Sequence, residues 1–406
     1  MERRVVITGL GIWSCLGTSL DEVRQSLYSG KSGIIFSQAR KDAGFRSALC
    51  ADVPKADLKK YLSRDLRKLM PEEAQYGYLA TIQAMEHAKL DQDFLDQNEV
   101  GVIYGNDSVA EATMTALDKF RQAGSTAACG SGAIFQSMNS TVTMNLATLL
   151  HLRGINLTAS AACASGSHSV GLSYLLIKDG LQDCIICGGA QEANMFSVAS
   201  FDGLMAFSTR EDEPTKASRP FDRDRDGLIP GGGAATLVLE SYEHAVKRGA
   251  PILAEIVGWG FSGNGDHIST PNVAGPTRSL ELCLKNGGIN PRDIGYINAH
   301  ATSTHAGDGR EALAIANIFG DYRVPVTSTK SQTGHEMWMA GASELIYSIL
   351  MMKNDFIGGS LNFENPDEDT ACINVIPETC EAHFDMFLSN SFGFGGTNSS
   401  LIIKNL

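Results

Sequence analysis

The sequence predicts an α/β protein with buried sheets, assembled from two halves of similar plan. Two observations carry that expectation. Short apolar runs alternate with longer amphipathic ones along the whole chain, as strands do when they are threaded through helices. The outline of the first half then returns in the second, with the join near residue 250. A third observation limits the alternatives. Of 406 residues, 43% are hydrophobic and 19% charged, so the chain can bury a sizeable core and is not a disordered segment.

The elements follow in order. "RRVVITGLGI" reads as a buried strand running into a glycine turn, and "LDEVRQSLYSGKSG" as a helix stopped by glycine. "VGVIYGN" is a second buried strand. "GINLTASAA", "SGSHSVGLSYLLIKDGLQ" and "DCIICGGAQ" make a strand, helix, strand series; "ATLVLESYEHAVKRGA" passes from strand to helix. The second half opens as the first did, with "ILAEIVGWGFSG". "GYINAHATST" is a strand ending in small polar residues. "VPVTSTKSQTGHEMWMAGASELIYSILMMKNDF" is a strand, a small-polar turn and a long helix, the outline also seen around Cys163. No Pro-rich or low-complexity linker separates residues 1–250 from 251–406, so the halves are expected to pack as one body.

A net charge of −13 speaks against non-specific binding to nucleic acid or to an anionic membrane. Cys184 and Cys187 form a lone CxxC with no second pair at zinc-site spacing, which favours a buried strand over a metal site. The start, "MERRVVITGLGIW", lacks a hydrophobic region long enough for a signal peptide, and no apolar run is long enough to span a bilayer. A reducing, cytoplasmic setting is expected.

Three polar clusters fall at the ends of expected strands: "SAACASGSH" with Cys163, "NAHATST" with His300, and "TKSQTGH" with Lys330 and His335. Sites in α/β sheets form in the crevice beyond the strand carboxyl ends. Cys163 has two readings. Free cysteine is among the most buried residue types, so it can be purely structural. It also precedes an expected helix, whose N-terminal N–H groups and dipole favour a thiolate nucleophile. A lone histidine at a strand end is ordinarily structural. The three clusters together, in equivalent halves, favour a Cys-His-His site. A fourth cluster, "SNSFGFGGTNSS", reads either as a tight turn or as a loop that brings the Phe394 N–H beside that of Cys163, completing an oxyanion hole.

On these motifs the chain resembles the β-ketoacyl-acyl-carrier-protein synthases, the type II condensing enzymes (ketosynthase I/II-like) of the thiolase superfamily. "ACASGSHSVG" matches the nucleophile motif, "NAHATST" and "STKSQTGH" the two histidine motifs, and "NSFGFGGTN" the C-terminal loop. "ASRPFDRDRDG" and "VVITGLGI" match further signatures, and the similarity runs from residue 3 to about 404. The resemblance implies a thiolase-like five-layered αβαβα fold from a duplicated half, a homodimer, and decarboxylating condensation of malonyl-carrier with a Cys163-bound acyl chain. It implies that His300 and His335 assist decarboxylation. It also implies that Lys330 pairs with Glu311 and supports the histidines, that Thr302 and Thr304 hold the pantetheine arm, and that Phe394 gates the acyl pocket. No resident cofactor is expected, since phosphopantetheine arrives on the acyl carrier protein.

"DRDRDG" at 222–227 is a decoy for a calcium loop. Counting from Asp222, the twelfth position is Gly233 rather than a carboxylate, so the stretch is read as a charged turn. Four departures from the family pattern stand out. Ala301 replaces a usual glycine and His305 a usual proline. Glu336, Met337, Trp338 and Met339 replace small or aliphatic residues. Ser108 falls where longer-chain relatives carry a bulky aliphatic residue. Trp338 is either a core-filling residue or a reshaped wall of the acyl channel. With Ser108 it suggests an unsaturated or aryl-ended chain, with ordinary fatty-acid elongation left open.

Carriers of this family are small and acidic, so a locally basic surface is expected. Arg64, Arg67 and Lys68 in "SRDLRKLM" supply one, with Arg46 and Arg210 as further candidates. The competing reading is a non-elongating, chain-length-factor-like partner in a heterodimer. Such partners usually lack the nucleophile, which Cys163 supplies here.

Overall fold

The computed structural model describes residues 3–406. Its main strands are β1 (Val5–Trp13), β2 (Val100–Gly105), β3 (Asn156–Ala159), β4 (Cys184–Gln191), β5 (Gly233–Ser241), β6 (Ala254–Gly263), β7 (Tyr296–Asn298), β8 (Pro325–Thr327), β9 (Asn374–Val375), β10 (Met386–Gly393) and β11 (Thr397–Asn405). They join edge to edge in the order β9-β8-β7-β10-β11-β6-β1-β5-β4-β2-β3. Within this run the order β1-β5-β4-β2-β3 is repeated by β6-β11-β10-β7-β8. The sense repeats too: the first two pairings are antiparallel and the last two parallel in each set. The two sets meet through a short contact between β1 and β6, where Val5, Val6 and Ile7 oppose Ile256, Glu255 and Ala254.

The helices that matter here are α1 (Glu72–Ala88), α2 (Thr141–Leu149), α3 (Ser165–Lys178), α4 (Ala274–Gly287), α5 (His305–Phe319) and α6 (Ala340–Lys353). Strand alternation sorts them into layers, because successive side chains point to opposite faces. Ile185 and Cys187 of β4 face a central core with Val170 and Ile177 of α3 and Leu345 and Ile346 of α6. Cys184 and Ile186 face outward, against α1 and α2. In the second set Leu401 and Ile403 face the centre, whereas Ile402 faces α4 and α5. The result is the five-layered αβαβα arrangement. The same alternation explains the lone CxxC: three residues apart on a strand, its two thiols lie on opposite faces, and both are buried.

The helix α6 lies in the middle layer, and only its Leu350 and Lys353 escape full burial. A helix apolar all round needs that environment. The small residues beside Cys163 have a packing reason as well. A Cβ on Gly166 would come within 2.9 Å of the Trp338 carbonyl oxygen, and one on Gly341 within 2.5 Å of the Ser167 nitrogen. The two central helices therefore approach through glycine.

One sequence expectation changes. The expected glycine turn after the first apolar run is absent: β1 continues through Gly9 and Gly11 to Trp13, with a register shift between Ile7 and Gly9. The backbone of α1 at Ala80 and Ala84 lies against these two positions. The glycines serve helix–sheet contact and leave the strand intact. Among the described residues no helix is long and apolar enough to cross a membrane.

Candidate active site

Each central helix is entered through a one-turn 3-10 segment, Ala162–Ala164 before α3 and Met337–Met339 before α6. The residues Ala162 and Met337 have φ of +47° and +48°, a left-handed backbone that L residues adopt at a cost. Cys163 follows Ala162 at the carboxyl end of β3. The hairpin β10–β11 reaches over it, joined by Phe394–Gly396, where Gly395 and Gly396 have φ of +77° and +73°. The N–H groups of Cys163 and Phe394 both lie near enough to the sulfur to favour its charged form.

The thiol itself departs from the sequence expectation. Burial pushes Cys163 up to about 12, outweighing the opposing pull of the Lys330 ammonium and the two N–H groups. Burial thus opposes the thiolate that a helix start would favour.

His300 follows β7 and His335 follows the short helix Lys330–Thr333. Their rings lie 5.3 Å apart, nearly perpendicular at 86°. Burial, together with the Lys330 ammonium, holds both well below the ordinary imidazole value, and His335 adds to the effect on His300. Both rings are therefore neutral near pH 7. The Met337 N–H points to Nδ1 of His335 at 3.3 Å. An N–H can only donate, so Nδ1 holds the lone pair and Nε2 carries the proton. That Nε2–H is buried and has no partner among the described residues. It is a preorganised donor for an anionic oxygen.

Lys330 pairs with Glu344 of α6 and not with Glu311. The two belong to one continuous stretch of chain, and both are buried. Glu311 is occupied elsewhere, accepting from the N–H groups of His300 (2.9 Å) and Ala301 (2.7 Å) and from Asn390 (3.0 Å). It holds the His300 backbone in place. Burial raises Glu311 and Glu344 to about 7 and Glu336 to about 8 against the pull of Lys330. Glu336 accepts from Ser343 and Tyr347.

The "DRDRDG" stretch is a charged turn whose charges divide: Arg223, Asp224 and Asp226 are exposed, whereas Asp222 and Arg225 point inward. Arg219, Asp222 and Arg225 are all buried. Arg225 donates to the carbonyls of Thr304 (3.0 Å) and His305 (2.9 Å) and to Asp367 (2.6 Å). Asp308, raised to about 6 by burial, accepts from the N–H groups of Thr302 (2.9 Å) and Thr304 (3.3 Å). This ionic cluster fixes the loop through Ser303, itself at φ +68°. The hydroxyls of Thr302 and Thr304 stand 3.1 Å apart. Among the described residues no group of three or more His, Cys, Asp or Glu is arranged to hold a metal ion.

A cavity of about 320 Å³ joins these parts, lined by Cys163, His300, His335, Thr302, Thr304 and Phe394 among others. Glu311 also reaches it, whereas Ser108 and Trp338 are not among its lining residues. Trp338 is buried beside Cys163 in an apolar cluster with Phe207 and Met337. Phe201, which the sequence did not single out, ties that cluster to the cavity. It stacks on Phe394 (6.1 Å, 17°) and on Phe207 (6.3 Å, 11°), and it meets Trp338 at 6.4 Å. Of the basic candidates, Arg64, Arg67 and Lys68 line one cleft together with Lys55, Asp57 and Lys59. Lys68 also pairs with Asp65. Arg46 and Arg210 each donate to a backbone carbonyl, of Phe207 and Asp224 respectively.

Comparison with known proteins agrees with this architecture. Residues 2–245 match the family described as "Beta-ketoacyl synthase, N-terminal domain" and residues 253–364 the "Beta-ketoacyl synthase, C-terminal domain". The chain is 40% identical over 405 residues to 3-oxoacyl-[acyl-carrier-protein] synthase 1 of Haemophilus influenzae, covering 99% of each chain. It superposes on a beta-ketoacyl synthase from Burkholderia phymatum with a TM-score of 0.95 at 36% identity, covering 100% of both. A type II polyketide ketosynthase, solved with its acyl-carrier protein and bound to a hexaketide, gives a TM-score of 0.90 at 28% identity, again over 100% of both chains. The chain belongs to the beta-ketoacyl synthase family.

Proposed function

We propose that Cys163, His300 and His335 carry out a decarboxylating condensation on carrier-bound thioesters. The reaction class is the condensation that yields 3-oxoacyl-carrier protein in fatty-acid or polyketide synthesis, an acyltransferase reaction. The observation that carries the residue assignment is the meeting of a thiol, two N–H groups and two neutral imidazoles in one cavity.

In this reading the Cys163 sulfur attacks the acyl thioester and the carrier thiol leaves with a proton. Malonyl-carrier then enters. Its bond to the carboxylate breaks, carbon dioxide leaves, and the electron pair remains as an enolate. The enolate oxygen needs donors, which His335 Nε2–H and His300 can supply without titrating. The enolate carbon attacks the Cys163 thioester, the oxyanion rests on the N–H groups of Cys163 and Phe394 and then collapses, and the carbon–sulfur bond breaks to release a thiolate that takes a proton from solvent. Lys330 and Glu344 act as a buried ion pair behind His335.

The partner is an acyl carrier protein, with the Arg64, Arg67 and Lys68 cleft as its docking surface and Arg46 and Arg210 at its margin. Thr302 and Thr304 hold the pantetheine arm. The assembly is a cytoplasmic homodimer, and residues 1–250 and 251–406 form its two functional halves. The aromatic series Phe394–Phe201–Trp338 supports a preference for conjugated or aryl-ended chains, with Trp338 acting through Phe201; no cavity contact supports a role for Ser108. The test is carbon dioxide release from malonyl-carrier together with intact-mass detection of acyl-Cys163. A folded protein that does neither is the non-elongating partner instead.

A further inference from the structure

The two turns that enter the central helices share one unusual feature, an N–H group on a residue with left-handed backbone. In the second half the Met337 N–H is held by Nδ1 of His335. In the first half the equivalent Ala162 N–H is held by Oδ2 of Asp107 at 3.1 Å. Asp107 lies just beyond the carboxyl end of β2, and its own carbonyl accepts from Nδ2 of Asn139 at 2.8 Å. The rest of the turn is tied by Ser165, whose hydroxyl accepts from the Ala161 N–H (2.8 Å) and donates to the Ala162 carbonyl (2.6 Å). Of these three backbone groups, the Ala162 N–H is the one whose partner comes from a distant part of the chain.

We propose that Asp107 is a positioning residue for the nucleophile: its carboxyl group holds the Ala162 N–H, and so keeps the left-handed turn that aims Cys163 into the cavity. Without an acceptor there, the buried N–H favours relaxation of Ala162 toward an ordinary backbone, which swings the thiol away from the Phe394 N–H. The carboxyl has a second effect. The charged groups facing the sulfur are Lys330, which favours the thiolate, and Asp107, which opposes it; His300 and His335 stand by as neutral rings. Asp107 thus holds the geometry while restraining the charge.

The experiment compares Asp107→Asn with Asp107→Ala in the full chain. Cys163 is followed by iodoacetamide alkylation at several pH values, read by peptide mass, and by acyl loading from an acyl-carrier. The asparagine retains an acceptor oxygen and loses the charge. It should load within a few-fold of wild type and alkylate about threefold faster at pH 8. The alanine loses the acceptor. With an unchanged melting profile it should load about tenfold more slowly. Wild-type loading in Asp107→Ala overturns the proposal. If that variant does not fold, Asp107→Asn decides alone: loading as crippled as an inactive control, despite the retained acceptor, overturns it. The loading arm rests on the reading of Cys163 as acyl acceptor, whereas alkylation does not. Failure of wild type to load would sink that reading and leave the alkylation result standing.

Discussion

The turn before α3 presents Cys163 one residue after Ala162; the turn before α6 presents Trp338 one residue after Met337. Their backbones match, with φ of +47° and +48° at the first residue, and each is followed at the same distance by a glycine that lets the helices touch. Their chemistry does not match. In the first half the turn delivers a thiol to the cavity. In the second the same place holds an indole turned into an apolar cluster, and the polar side chain that lines the cavity stands three residues back, at His335. A repeated fold supplies two equivalent backbone devices. What each becomes depends on which side chain stands there and on what is packed behind it: Asp107 behind Cys163, Lys330 and Glu344 behind His335.

The comparison breaks most directly at Cys163. Cys163→Ser should abolish acyl loading and condensation while the protein stays folded, measured by intact mass and product formation. Cys163→Gln should keep or raise carbon dioxide release from malonyl-carrier, since the amide resembles the acylated state and both imidazoles remain. A folded glutamine variant that releases none would show that the two halves do not divide the labour in this way.

Next in size are the histidines. His300→Ala or His335→Ala should load acyl groups normally but decarboxylate more slowly by roughly 10² or more, the worth of one preorganised donor. Equal loss of loading in both variants would move the histidines to the thiol's side of the comparison.

The acidity of the two halves gives a third test. A thiol raised to about 12 is protonated across the ordinary range, and its thiolate fraction grows with pH. Alkylation of Cys163 should rise about tenfold per pH unit from 7 to 10, with no plateau in that interval. A plateau below pH 8 would mean that the helix N-terminus, rather than burial, governs the sulfur.

The smallest expected effect is at Trp338. Trp338→Leu should lower kcat/KM for conjugated or aryl-ended acyl-carriers by up to about tenfold and spare short saturated ones, through loss of aromatic contact passed on by Phe201. A uniform loss for all chains would leave Trp338 as the packing counterpart of Cys163 and nothing more.

Much of the site was legible because its motifs are local. Cys163, His300, His335 and Phe394 each sit in a short run of small and polar residues, His335 one short helix beyond its strand, and the structure brings all four to one cavity. Glu344 was overlooked because nothing in "GASELIY" distinguishes its carboxylate from a surface one; only the burial of α6 makes it the partner of Lys330. Asp107 and Phe201 lie outside any motif. The "DRDRDG" stretch is legible as a charged turn, but not which of its charges turn inward: Arg223, Asp224 and Asp226 face water, whereas Arg225 is paired with Asp308 and Asp367.

The sequence by itself determined the α/β class, the repeated plan, the polar clusters that meet in the cavity and the family, because apolar periodicity and short motifs are written within a few consecutive residues. Only the tertiary structure decided that Lys330 chooses Glu344, that Asp107 meets the turn before Cys163, that Asp222 and Arg225 of the charged turn point inward, and that burial opposes a Cys163 thiolate. Those outcomes depend on which groups lose water together and which partners come within hydrogen-bond reach across 14 residues of chain for Lys330 and Glu344 and 55 for Asp107 and Ala162. Desolvation and long-range pairing are properties of the packed whole, so no single stretch of sequence carries them.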